Sequence, residues 1–373
     1  MEKKLHIVSF TVPFPADYGG VIDVFYKVKA LHEAGYEIIL HCFKYDRAPS
    51  KELLKYCSEV NYYKRKTGIR YSLKKEPYIV ITRSSKKLLE NLLKDDYPIL
   101  FEGIHTTSTI AHPALKDRKK YIRMHNIEHE YYLGLASVTK KPVRKIFFQT
   151  EAKKLQSFEE IIHSADGLAV ISMNDFLYYS AKHANTTLIP AFHENENIIS
   201  QTGKGDYILY HGNLSVEENE KACIYLANNI FSKIDYKVIV AGKNPGQKLK
   251  RALFKHNNIQ LIENPSFDMM EKLIVNAHIN LLITFQSTGL KLKLLNALYK
   301  GRFCITNTEM VVNTGLEEAC YIFDNNEQMT ENIHQIMETN YTDEMIQLRK
   351  TTLNNNFSNT VNAEKLLTLI NEE

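Results

Sequence analysis

Leu5–Phe10 (LHIVSF), Thr11–Gly20 (TVPFPADYGG), Val21–Glu33 (VIDVFYKVKALHE) and Glu37–Cys42 (EIILHC) follow one another at the start of the chain. The first segment is a short apolar run of the kind a fully buried strand presents. The second is a Pro- and Gly-bearing loop. In the third, Val21, Val24, Phe25, Val28 and Leu31 recur at helical spacing, and Gly35 stops the pattern. The fourth is again strand-like. Strand, loop, helix and strand in that order predict a parallel sheet covered on both faces.

The same alternation continues outward. Apolar runs at Ile79–Thr82, Ile99–Phe101, Tyr121–Met124, Gly167–Ile171 and Thr187–Ile189 are expected as further strands, with Ser84 and Ser172 as helix caps. A polar, Gly-bearing stretch, Glu194–Gly205, is expected as a linker. Beyond it the pattern restarts at Tyr207–Tyr210 and runs through Lys237–Ala241, Ile259–Ile262, Ile279–Ile283, Phe303–Thr306 and Tyr321–Phe323, with helices between. The expected organisation is α/β, with two Rossmann-like doubly wound domains, residues 1–195 and 204–356, and a terminal helix in 357–373. Ligands of such sheets sit beyond the carboxyl ends of the strands, so a cleft between two of them is the expected site.

Composition removes other classes. The 373 residues are 44% hydrophobic and 24% charged, with 15 Gly and 10 Pro, which excludes a disordered or collagen-like chain. No apolar run approaches the length of a membrane span, and the start lacks the long apolar stretch of a secretory signal. The five cysteines, Cys42, Cys57, Cys223, Cys304 and Cys320, are odd in number and scattered, against a disulfide framework or a structural zinc site. A cytoplasmic protein is expected. Net charge is +4, but residues 1–195 carry 30 Lys and Arg against 22 Asp and Glu, and the remainder 17 against 21. The basic first half admits an anionic membrane surface as a partner, at the inner face of the cytoplasmic membrane. Nucleic acid is not expected, because no binding motif accompanies the modest charge.

Several motifs carry chemistry. Gly19 and Gly20 open a helix after the first strand, where backbone N–H groups can approach a phosphate; the alternative is a turn that merely needs glycine. The segment Phe285-Gln-Ser287-Thr288-Gly289-Leu-Lys291-Leu-Lys293 follows a strand and is expected to start a helix near Gly289. Two lysines in a first helical turn oppose the macrodipole, a penalty that a bound anion offsets. His125-Asn-Ile-Glu128-His129 matches an inverted zinc-protease signature, but it follows Tyr121–Met124 directly, so His125 is expected at a strand end, with no metal, where it fits a cleft residue hydrogen-bonding a substrate; the alternative is a histidine satisfied within the structure. No G-x-S-x-G, Walker A, EF-hand or D-x-D is present.

Taken in order, the loop ending in Gly19-Gly20, His125 after a strand, Tyr210-His-Gly212-Asn213-Leu214, Val238-Ile-Val-Ala-Gly242-Lys243 and the Gly289/Lys291/Lys293 helix resemble family 4 glycosyltransferases of the GT-B fold, especially bacterial enzymes of surface-glycan and polysaccharide biosynthesis. The resemblance implies a metal-independent hexosyltransferase without cofactor, taking a nucleotide-sugar donor to a glycan or lipid-linked acceptor with retention of configuration. It implies catalytic roles for His125 and Lys291. It also implies donor contacts from Gly19, Gly20, Asn213, Lys243, Ser287, Thr288, Gly289, Lys293 and Asn296, and a final helix crossing back to the first domain. Thr288 and Asn296 stand where the family commonly has a pair of glutamates, and Asn213 where Arg is common. Two other readings share this frame: a sugar-nucleotide epimerase, with Glu102, Glu128 and Glu130 as acid/base candidates, and a degenerate nucleotide-sugar-binding scaffold favoured by the missing glutamates.

Overall fold

The computed structural model describes residues 3–139, 141–285 and 292–371. The chain divides into two compact units, residues 1–194 with 357–373, and residues 195–356. The first unit is built on β1 (Lys4–Ser9), β2 (Glu37–Lys44), β3 (Glu59–Lys64), β4 (Ile99–Glu102), β5 (Lys120–Met124), β6 (Gly167–Val170) and β7 (Thr186–Leu188). They form one parallel sheet in the order β3-β2-β1-β4-β5-β6-β7. Strand order reverses between β1 and β4, and the crevice beyond their carboxyl ends is the place such a sheet offers a ligand.

Period-two alternation splits β1 between two cores. Leu5 and Ile7 join Val24, Val28 and Leu31 of the helix Gly19–Glu33, while Val8 joins Leu88, Leu92, Ile122 and Ile162 on the opposite face. The final helix, Asn359–Asn371, packs Ala363, Leu366, Leu369 and Ile370 into the first of these cores. Tyr121 also donates to the carbonyl of Ile370 at 2.9 Å.

In the second unit, β8 (Ile208–Asn213), β9 (Val238–Lys243), β10 (Ile259–Glu263), β11 (Ile279–Leu282), β12 (Phe303–Thr306) and β13 (Tyr321–Ile322) make a six-stranded parallel sheet, ordered β10-β9-β8-β11-β12-β13. Its switch point lies between β8 and β11. Gly242 is required here: a Cβ would stand 2.0 Å from the backbone oxygen of Gly212, closer than any side chain can approach.

Three local expectations change. Ile79–Thr82 is no strand: Tyr78–Ile81 forms a helical turn directly after Pro77, whose fixed φ suits a helix start. The strand that pairs β2 is instead Glu59–Lys64, Glu-Val-Asn-Tyr-Tyr-Lys, a partly exposed edge strand that needs no continuous apolar run. The cap of the helix Lys86–Leu92 is Ser85, whose Oγ accepts from the Leu88 amide at 3.3 Å, and not Ser84, which donates to the Ile81 carbonyl. Ser172 does cap Met173–Ser180. The polar stretch expected as a linker is tied to the second unit from Asn195 onward. Ile199 pairs with the Tyr299 carbonyl, Ser200 donates to Gly301, and Gly203 bridges Tyr341.

Candidate functional site

Five ionisable side chains converge beside the switch point of the first unit. Asp23 and Lys27 come from the helix Gly19–Glu33, Glu102 from the end of β4, Arg123 from within β5, and His125 from just beyond it. All but His125 are buried. Lys27 Nζ donates to Asp23 Oδ2 at 2.9 Å and to Glu102, whose nearer oxygen stands 2.7 Å away. Arg123 reaches both oxygens of Asp23 and, through its remaining donors, the carbonyls of Ile189 and Pro190. The Phe192 amide completes the Asp23 shell at 2.9 Å. Burial pushes the Asp23 carboxyl up, but Arg123 and Lys27 outweigh it and hold its pKa far below the usual carboxylate range. A buried Arg in the middle of an apolar strand has to find such a counter-charge.

His125 Nε2 lies 2.9 Å from Glu102 Oε2. A carboxylate oxygen accepts, so the tautomer with Nε2–H donates to Glu102 and has Nδ1 as its acceptor. The ring is fixed edge-on against Phe10, centroids 5.5 Å apart. Phe10 also limits Gly20, where a Cβ would sit 2.9 Å from its ring. Gly19 is the first residue of the helix; Tyr18 gives it no side-chain cap and no acidic residue stands in its first turn. The amide groups there are open to an anion. Nearby, burial and then the charge of Arg83 push His105 well below its ordinary range. Burial pushes Glu128 up to about 7.

Asp23, Glu102 and His125 bring donor atoms within 4.8 Å of one another, a spacing that suits a metal ion. The Lys27 ammonium, bonded to both carboxylates, occupies the cation position between them. The zinc-like pentad is likewise split: His125 turns to Glu102, whereas His129 on the next helix faces Glu159, Nδ1 to Oε2 3.3 Å. Of the carboxylates weighed for acid/base work, Glu102 is committed to Lys27 and His125, Glu128 is buried, and Glu130 is exposed.

In the second unit, Asn213 and Lys243 are register partners at the carboxyl ends of β8 and β9, both exposed. Asn213 Oδ1 accepts from the amide and hydroxyl of Ser215. Lys293, in the helix Leu292–Lys300, donates to Asn219 Oδ1 at 2.8 Å, and Asn219 Nδ2 in turn holds the Asn213 carbonyl at 3.0 Å. Lys293, Asn213 and Lys243 thus gather at one edge of the sheet. Asn296, one turn beyond Lys293, accepts from Asn195 Nδ2 at 2.8 Å. Burial, with the charges of Lys293 and Lys300, pushes His211 down to about 3, so it stays neutral beneath this edge. Asn307 ties the ends of β11 and β12 through both the amide and carbonyl of Thr284. Ser287, Thr288, Gly289 and Lys291 lie outside the described residues.

Asp23, Lys27 and Arg123 were not among the residues expected from the sequence. The available signals were a guanidinium inside the run Tyr121–Met124 and opposite charges four apart in one helix.

Residues 205–339 match the model of the family described as glycosyl transferases group 1. An uncharacterized 44.6 kDa protein in the cps region of Klebsiella pneumoniae is 27% identical over 335 residues, 84% of this chain and 83% of that protein. The fold is similar to the crystal structure of TarM, with a TM-score of 0.70 at 12% identity, covering 100% of this chain and 99% of that one. It is also similar to an α,α-trehalose-phosphate synthase (UDP-forming) from Burkholderia xenovorans solved with glucose-6-phosphate, with a TM-score of 0.63 at 9% identity, covering 99% and 100%. These likenesses place the chain among the two-domain α/β folds of GT-B glycosyltransferases.

Proposed function

We propose, from a chain that has the GT-B fold and matches glycosyl transferases group 1 over 205–339, that it moves a hexose from a nucleotide-sugar to a glycan or lipid-linked acceptor in the cytoplasm, with retention of configuration. The observation that carries the reading is the gathering of Asn213, Lys243 and Lys293 at the carboxyl edge of the matched sheet. That edge is where a doubly wound sheet binds a nucleotide. The cps-region relative supports a surface glycan as the product class.

In this reading the acceptor hydroxyl oxygen bonds to the anomeric carbon on the face that the diphosphate leaves. The bond from that carbon to the diphosphate oxygen breaks, and the departing diphosphate takes the acceptor proton. Lys293, with Lys291, supplies positive charge where the leaving group becomes more negative, the term that dominates such sites. The amides of Gly19 and Gly20 offer further donors to phosphate oxygens. His125, its Nε2 proton committed to Glu102, presents Nδ1 as an acceptor for a donor-sugar hydroxyl. Asn213, Lys243, Ser287, Thr288, Gly289 and Asn296 complete the donor contacts, and no metal is needed for the charge balance.

The test is transfer from a panel of nucleotide-sugars to a surface-glycan acceptor fraction, with the anomeric configuration of the product read by NMR. Transfer from one donor with its configuration kept supports the reading. Inversion removes the same-face mechanism. Epimerised donor without transfer favours the epimerase.

A further inference from the structure

Two buried arginines of the first unit are paired, Arg118 with Asp95 at 2.7 Å and Arg123 with Asp23 at 2.8 Å. Arg83 is not. It is 6% exposed, and its Nε and Nη1 donate to the carbonyls of Phe10 at 2.8 Å and Ile79 at 2.7 Å. A guanidinium has five N–H donors, so three remain, and Nη2 bonds to no described residue. Carbonyls satisfy donors without neutralising the charge, and a buried charge without a counter-charge is costly. Further cations stand beside it. Arg65 Nε donates to Thr82 Oγ1 at 3.2 Å and Lys66 Nζ to Ser84 Oγ at 2.7 Å, so they are held to the chain neighbours of Arg83. Neither forms an ion pair among the described residues. Burial, and then the charge of Arg65, pushes Arg83 down to about 9. Glu128, whose charge pulls the other way, is itself pushed up to about 7 by burial and makes no ion pair with Arg83.

These groups lie at the carboxyl ends of the strands, where a parallel sheet offers a ligand its place. Phe10 directly follows β1, and Arg65 and Lys66 directly follow β3. The Arg65 amide bonds the carbonyl of Lys44, the last residue of β2, at 3.0 Å. His105, just beyond β4, is held neutral by burial and by the charges of Arg83, His125 and Arg65, so it adds no cation of its own. The transferase reading, on which this step rests, already meets the donor diphosphate with Lys291, Lys293 and the Gly19 and Gly20 amides. The other substrate is the acceptor. We propose that Arg83, with Arg65 and Lys66, binds an oxyanion carried by the acceptor, a phosphate or a carboxylate, and so selects an acidic acceptor over a neutral one. Charge-assisted bonds from a guanidinium suit either group.

The experiment is a thermal-shift titration of the full chain with inorganic phosphate, glucuronate and glucose at constant ionic strength. Phosphate and glucuronate separate the two sources of the oxyanion, and glucose is the neutral control. The titration is repeated in Lys293→Ala, so that phosphate held at the edge of β8 is not counted. A shift with at least one acid and none with glucose is expected. Arg83→Met should raise the Kd for that acid about tenfold or more. Because that change also removes two carbonyl contacts, Arg65→Gln with Lys66→Gln, at positions not buried, is the second variant; it should raise the Kd about fivefold. No shift with either acid, or an acid shift that the double variant keeps in full, overturns the proposal. So does loss of the nucleoside diphosphate shift in the double variant, which would give these cations to the donor. None of these readouts needs transfer, so a failed transfer assay counts against the transferase reading and a failed acid titration against this site.

Discussion

Lys27→Met separates an ionised network from a merely polar one. The ammonium is fully buried, 2.9 Å from Asp23 and 2.7 Å from Glu102. At such separations each pair is worth about 6 kcal/mol at an effective dielectric of 20, before desolvation is subtracted. Met keeps the stem and removes the charge, leaving two buried carboxylates. Their situations differ. Asp23 retains two contacts from Arg123 and one from the Phe192 amide, while the Glu102 side chain keeps His125. The cost, about 3–5 kcal/mol for breaking a buried pair, therefore falls mainly on Glu102. Adding Glu102→Gln should return about 2 kcal/mol of it, although Glu102→Gln alone is destabilising, because it leaves Lys27 half-paired. The assay is urea unfolding of the four-member cycle at neutral pH, followed by far-ultraviolet circular dichroism. A cost below about 1 kcal/mol for Lys27→Met, or additivity of the two changes, would refute the reasoning.

Three further outcomes are expected. Glu128, pushed by burial from 4.5 up to about 7, binds a proton more readily folded than unfolded, so its stability contribution is present below about 4.5 and lost as pH rises through about 7. Glu128→Gln should gain stability over wild type across that window, by up to about 1.4 kcal/mol per pH unit, and paired melts at pH 4.5 and pH 8 check it. Gly242→Ala puts a methyl 2.0 Å from the Gly212 oxygen, so the second unit should lose about 1–3 kcal/mol, read from its denaturation midpoint. His125→Ala and Lys293→Ala should each lower kcat about a hundredfold, read from steady-state rates in the transfer assay.

Much of the architecture is legible in the sequence because buried parallel strands write themselves as apolar runs. β1, β2, β4, β5 and β6 all do so. β3 does not, because an edge strand exposes one side and can carry Glu59, Asn61 and Lys64. Ile79–Thr82 misleads for the opposite reason: a short apolar run is strand-like or helical according to its flanks, and Pro77 settles it. Within the site, His125, Gly19 and Gly20 could be read from their places after strands. Their support could not, since Asp23 meets Arg123 across a hundred residues and Lys27 meets Glu102 across 75. Helical spacing puts Asp23 and Lys27 off the apolar stripe, toward solvent, whereas the sheet covers them. Lys243 and Asn213 become neighbours only through strand register.

A nucleotide-sugar donor site is proposed at the carboxyl edge of β8 and β9. A thermal-shift panel of nucleoside diphosphates and their sugars, run on wild type and Lys293→Ala, tests it directly. Ligand at about a hundred times its Kd stabilises by about 2.7 kcal/mol, which moves the melt of a unit this size by roughly 5–10 °C. The expected result is a shift for one base, carried by its diphosphate and its sugar, and lost in Lys293→Ala. No shift from any member of the panel, with or without the acceptor fraction, would contradict the account.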